Sequence, residues 1–200
     1  NETWLALGVG VLLVAFPLAH GTILGALYLP VAVMLAALTL RGVAFDFRVK
    51  AKAPYRPWWD RAFYTGSLVA SWSQGFMLGL YIMGLKWGLA EVAFATLTAM
   101  ALAAGYGFIG AAWLILKTDL ELQRKAVGWA RRGIWGLVLG MTSVSLATPL
   151  VSPRIFAKWF SFPEIVLLVP LPVMSSLLIA LVWIALRRLP TRDDSFAWFP

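Results

Sequence analysis

Asp46 and Lys50 stand four positions apart in a stretch flanked by Arg41 and Arg48. If that stretch is helical, a carboxylate and an ammonium lie one turn apart on the same face. Such a pair reads either as an interfacial carboxylate offsetting nearby positive charge or as a mouth that collects protons for a site buried in a membrane. Glu2 raises the same question at the start of the chain. A second distinctive set is the row Ser67, Ser71, Gly75 and Gly79, whose spacing of four makes one smooth helix face. Small residues in that pattern let two helix backbones approach closely in lipid; the functional alternative is a pore or substrate path. Gln74, beside the row, carries an amide that would be costly without a partner, so it either bonds to another helix or lines a hydrated path.

Other chemistries lack their residues. The chain has no cysteine, which excludes disulfides and thiolate-held metal. Haem iron takes His, Met, Cys or Tyr as axial ligands, yet His20 is the sole histidine, and its place before Gly21 and Thr22 suggests a turn on the outer surface. Met34, Met77, Met83, Met100, Met141 and Met174 are scattered and read as gap-filling packers. No Ser-His-Asp set, phosphate-binding loop or zinc motif occurs. If the chain serves an enzyme, the reacting centre is elsewhere.

The elements that must position these residues are long apolar runs. A bilayer core needs about 20 apolar residues in a helix, and six such runs fall at 4–19, 22–40, 63–85, 92–116, 133–150 and 165–186. Hydrophobic content of 61%, charge of 13% and a mean hydropathy of +0.81 fit a membrane protein and no soluble one of this size. The sequence therefore predicts an all-α, polytopic membrane helix bundle, a single transmembrane domain over 1–200 with six transmembrane helices. Laid out in alternating directions, the runs put fourteen of the seventeen Lys and Arg residues on one side, in 41–62, in 117–132 and after 186. By the positive-inside rule those loops and both ends of the chain face the cytoplasm. The net charge of +8 thus belongs beside membrane spans, and nucleic-acid binding is excluded for want of a soluble basic face. Trp58, Trp59, Trp87, Trp129, Trp159 and Trp198 fall near span ends, where amphipathic rings suit the headgroup region. Pro170 and Pro172 should kink or interrupt the last run.

Four stretches carry a family resemblance. Arg41-Gly42-Val43-Ala44-Phe45-Asp46-Phe47-Arg48 resembles the RGVAFEFR element of subunit II of cytochrome bd ubiquinol oxidase. Asn1-Glu2-Thr3-Trp4-Leu5 is similar to the end of its WDGNE-x-WL element, and Gln74-Gly75-Phe76-Met77-Leu78-Gly79 to its QG-x-x-LG element. Leu116-Lys117-Thr118 with Glu121-Leu122-Gln123 resembles LKT-x-G-x-LQ, with Leu120 where the family usually has Gly. That departure bears on the turn after Lys117.

The resemblance implies a haem-free subunit of a bacterial inner-membrane complex that oxidises quinol, reduces dioxygen to water and generates a proton gradient without pumping. Haems b and d and the quinol site would belong to subunit I, the partner, with membrane lipid and a possible structural quinone as further company. The present chain would be an internal fragment, holding about helices two to seven of eight. Asp46, Lys50 and Glu2 become candidates for a cytoplasmic proton path. Two other classes remain open: a secondary transporter, which requires a polar site at the membrane midplane, and a purely structural scaffold.

Overall fold

A computed structural model describes residues 10, 11, 14–151, 156, 157, 159, 161, 162 and 164–188. Five long helices dominate: α1 (Pro17–Lys50), α2 (Arg56–Ile82), α3 (Leu89–Lys117), α4 (Leu120–Val151) and α6 (Pro170–Arg188), with the short α5 (Glu164–Leu168) before the last. Glu2, Trp198 and half of the expected span 4–19 lie outside the described residues.

Among the described residues, four helices are long and apolar enough to cross a membrane: α1 from His20, α3, α4 from Glu121 to Leu150, and α6. The fifth, α2, has 27 residues but carries Arg56, Asp60, Arg61 and a run of hydroxyl residues, and is less apolar. α2 packs between α1 and α3, with Gly66, Ala70, Ser73, Gly75, Gly79 and Leu80 buried. A helix shielded by neighbours on two sides presents less surface to lipid.

Several expectations need correction. His20 is no turn residue; α1 begins at Pro17, whose missing N–H suits the first helical turn, and runs through His20 and Gly21 without a break. Most of 41–62 is likewise helix, broken only around Ala51 to Tyr55, where Ala53–Tyr55 form a 3-10 turn. Of 117–132, only Thr118 and Asp119 interrupt the helices. Charge marks where a helix leaves lipid, not where it ends: α1, at 34 residues, is about 51 Å long against a hydrocarbon core of about 30 Å, so Arg41–Lys50 form its projecting end. The expected interruption by proline is found at Val169, ahead of Pro170.

Neighbouring helices run antiparallel. Phe45 meets Phe63, with ring centroids 6.5 Å apart, while Leu27, Leu80 and Ala95 share a buried cluster toward the opposite ends of their helices. The turn out of α2 uses two successive left-handed residues, Gly84 and Leu85. The Leu85 N–H donates to Leu80 O at 2.8 Å and that of Gly84 to Tyr81 O at 3.1 Å, while Leu85 packs on the cluster that includes Leu80. This closes the carbonyls at the helix end. Phe94, Thr98 and Ala99 continue the interior along α3. A second core, of Ile115, Ala126, Ala130, Ile134 and Leu186, joins α3, α4 and α6. The α1–α2 hairpin, the α3–α4 hairpin and the end of α6 thereby come to the same end of the bundle.

Candidate functional site

That shared end gathers most of the predicted chemistry. On α1, Gly42, Asp46 and Lys50 fall at successive intervals of four, forming one exposed stripe. A Cβ at Gly42 would meet nothing within 4 Å, so at that position the stripe is uncovered among the described residues. The helix does place Asp46 and Lys50 one turn apart. The ion pair at this hairpin is nevertheless a different one: Arg48 Nε donates to Asp60 Oδ1, bridging α1 and α2. That hydrogen bond first, and the Asp60 charge second, raise the Arg48 pKa above its ordinary value.

Aromatic rings surround the pair. Phe47 stacks on Trp59 at 5.2 Å, and Arg61 lies 5.7 Å from the Trp58 ring. Phe47, Lys50, Ala51, Tyr55, Trp58 and Trp59 line a shallow cavity of about 360 Å3. Lys50 thus sits in an aromatic wall while Asp46 stands clear on α1. Arg41 serves a different contact: its backbone N lies close to Gly66, where a Cβ would also meet Ala37 O at 2.8 Å. Asp60 was missed in the sequence reading. The signal was available only through hairpin register, since a turn that puts Phe45 opposite Phe63 also puts Arg48 opposite Asp60.

The row on α2 resolves into two parts. Gly75 and Gly79 lie against α3; a Cβ at Gly75 would fall 2.5 Å from Ala99 Cα, and one at Gly79 would strike Ala95 Cα. Ser67 and Ser71 turn their hydroxyls back to Phe63 O and Leu68 O, each at 2.8 Å. Gln74 bonds across helices: Tyr106 Oη donates to Gln74 Oε1 at 2.9 Å. Of the two expectations for Gln74, the interhelical bond is therefore present, and Tyr106 on α3 is the partner that spacing could not identify.

The stretch around Lys117 also acquires a physical role. Thr118 Oγ1 donates to Leu114 O at 2.6 Å, and Gln123 Nε2 reaches back to Ile115 O at 2.9 Å, so two of the last carbonyls of α3 are satisfied. Leu120 opens α4 as a helical residue, which makes a glycine unnecessary at that point.

The fold and this cationic end define a multi-helix membrane protein whose polar chemistry is concentrated at one face of the bundle. A family model described as "Cytochrome bd terminal oxidase subunit II" matches residues 1–199, and the chain belongs to that family. It is 36% identical over 88 residues to "Cytochrome bd ubiquinol oxidase subunit 2" of Bacillus subtilis, covering 42% of this chain and 25% of that protein. It is 28% identical over 141 residues to "Probable cytochrome oxidase subunit 2" of Haemophilus influenzae, covering 63% of this chain and 37% of the relative. With "Cytochrome bd-I ubiquinol oxidase subunit 2" of Escherichia coli it shares 28% identity over 137 residues, 64% of this chain and 36% of that one. The chain therefore spans well under half the length of these curated relatives.

Among the described residues the cavities offer haem Tyr55, Met141 and Met174 but no histidine. His20 lies in the first turn of α1, and none of the cavities lined by Ile134 to Trp183, by Phe47 to Trp59 or by Ile165 to Met174 has a histidine in its wall.

Proposed function

We propose that this chain is the haem-free subunit II of a plasma-membrane quinol oxidase, with haems b and d and the quinol site on a partner subunit I. In that arrangement α2 joins the four apolar helices as a span, the segment 4–19 supplies a further one, and both chain ends face the cytoplasm. The observation that carries the reading, beyond family membership, is the meeting of the two basic hairpins and the end of α6 at one end of the bundle. This is the charge asymmetry expected of a cytoplasmic face. A structural quinone bound along an apolar helix face is part of the same reading.

The chain's own residues would take up protons at that face. The Asp46 carboxylate, open to water, can accept a proton at an oxygen; the Lys50 ammonium one turn away offers a second exchangeable site, and Glu2 a third. The uncovered stripe of Gly42, Asp46 and Lys50 gives the partner a smooth surface on which such a path could be enclosed. When bound in the partner, haem supplies the electron transfer and oxygen reduction that consume the protons.

Purification of the full-length protein in mild detergent tests the assignment: a haem-bearing partner and quinol oxidase activity should come with it, and a stable colourless protein alone would count against it. The proton role is tested separately by Asp46→Asn with Lys50→Met. Turnover should fall about tenfold or more while assembly and haem content hold; unchanged turnover leaves the chain a scaffold.

A further inference from the structure

Helices α4 and α6 meet closely at one end only. There Arg131 donates to Leu186 O from Nε at 3.2 Å and from Nη2 at 3.0 Å, and from Nη2 to Arg187 O at 3.2 Å. Trp135 packs edge-on against Trp183 with ring centroids 5.2 Å apart. Beyond that ring pair the helices part, leaving a groove of about 620 Å3 between Val138, Met141 and Ser145 on α4 and Leu171, Ser175 and Ile179 on α6. This is within the range of sites that hold small ligands, about 300–1,000 Å3. The wall is mostly carbon, and its α6 hydroxyls are engaged internally, Ser175 with Leu171 O at 2.8 Å and Ser176 with Pro172 O at 2.7 Å. An occupant's inserted part should therefore be apolar.

The closed end of the groove, past the ring pair, has the opposite character. Arg131 continues the α4 wall one turn beyond Trp135, and Arg187 continues the α6 wall one turn beyond Trp183. The Arg187 guanidinium stacks over the Trp183 ring at 4.8 Å, and exposed Arg132 adjoins Arg131. On α4 and α6 the one acid, Glu121, lies about three turns away from Arg131 and pairs with Lys125 at 3.2 Å. An apolar slot whose closed end is topped by cations matches an amphiphile with a carbon tail and a negative head.

We propose that this groove seats an anionic phospholipid, one acyl chain lying between α4 and α6 and the phosphate held by the exposed Arg132 and Arg187 at its closed end. Guanidinium groups suit this task because their paired N–H donors match phosphate oxygens. The inference rests on the chain's residence in a membrane, not on the oxidase assignment. A neutral quinone or a helix of a partner protein would fill the slot without using the cations.

Native mass spectrometry of the full-length protein with its partners, titrated with phosphatidylglycerol or phosphatidylethanolamine of matched chains, is the test. Phosphatidylglycerol should bind at least about tenfold more tightly, since each arginine near a headgroup contributes about fivefold. Arg132→Gln with Arg187→Gln, both at exposed positions that leave the Arg131 contacts in place, should erase that preference, and Ser145→Trp should weaken both lipids by filling the slot. Equal binding of the two lipids to the unmodified protein would overturn the proposal, as would an undiminished preference in the arginine variant. So would a cross-link from Ser176→Cys into a partner protein, which would show a helix in the groove. The lipid preference of the unmodified protein decides the matter even if a variant fails to fold.

Discussion

Between α2 and α3, Gly75 and Gly79 lie against the backbone at Ala99 and Ala95, so close that no side chain fits. Between α4 and α6, contact is confined to one end, where Arg131 reaches across to Leu186 O and the rest of the seam is open. Lipid tails are as apolar as leucine, so burying carbon gives little drive to helix association in a bilayer; close packing and interhelical hydrogen bonds remain. The first seam uses packing along its length. The second uses a charged anchor at one point, leaving room beside it for something other than protein.

Gly75→Val should have the largest effect, because a Cβ alone would sit 2.5 Å from Ala99 Cα and the helices would have to separate. A loss at or above the upper part of the about 1–3 kcal/mol seen for overpacked cores is expected, read as a lower melting temperature in detergent. Gly107→Val, at a glycine whose Cβ would meet nothing within 4 Å, should leave the isolated chain's stability nearly unchanged and so isolates the role of the seam. Arg131→Leu should rank second. It removes charge-assisted bonds to Leu186 and Arg187, about 2 kcal/mol in total, and should raise hydrogen exchange in α6 with little change in α2 or α3. Gln74→Leu should cost less, about 0.6 kcal/mol, the mean for interhelical hydrogen bonds in lipid. If its cost equals that of Gly75→Val, the α2–α3 seam depends on the polar bond more than on close packing.

Helix positions and the small-residue row were legible in the sequence because both depend on local composition and on a period of nearly four. The small-residue spacing anticipated a close helix contact, and Gly75 and Gly79 make one. Helix ends were poorly legible. On polarity alone His20 and Gly21 suggest a turn and 41–62 a loop, whereas α1 and α4 extend past their apolar parts. The partners of Arg48 and Gln74 were invisible because Asp60 and Tyr106 are set by the register of one helix on another, which no single helix encodes. Arg131 read only as one more cation on the basic side, for the same reason. The site's composition was therefore legible and its pairings were not.

In the function proposed above, this chain grips no iron and serves a neighbour that does. His20 is its sole histidine, so the optical spectrum of the purified full-length complex carrying His20→Ala is the most direct measurement. Haem bands of unchanged position and intensity per complex are predicted. Loss or shift of a haem band, with the complex still assembled, would contradict the account.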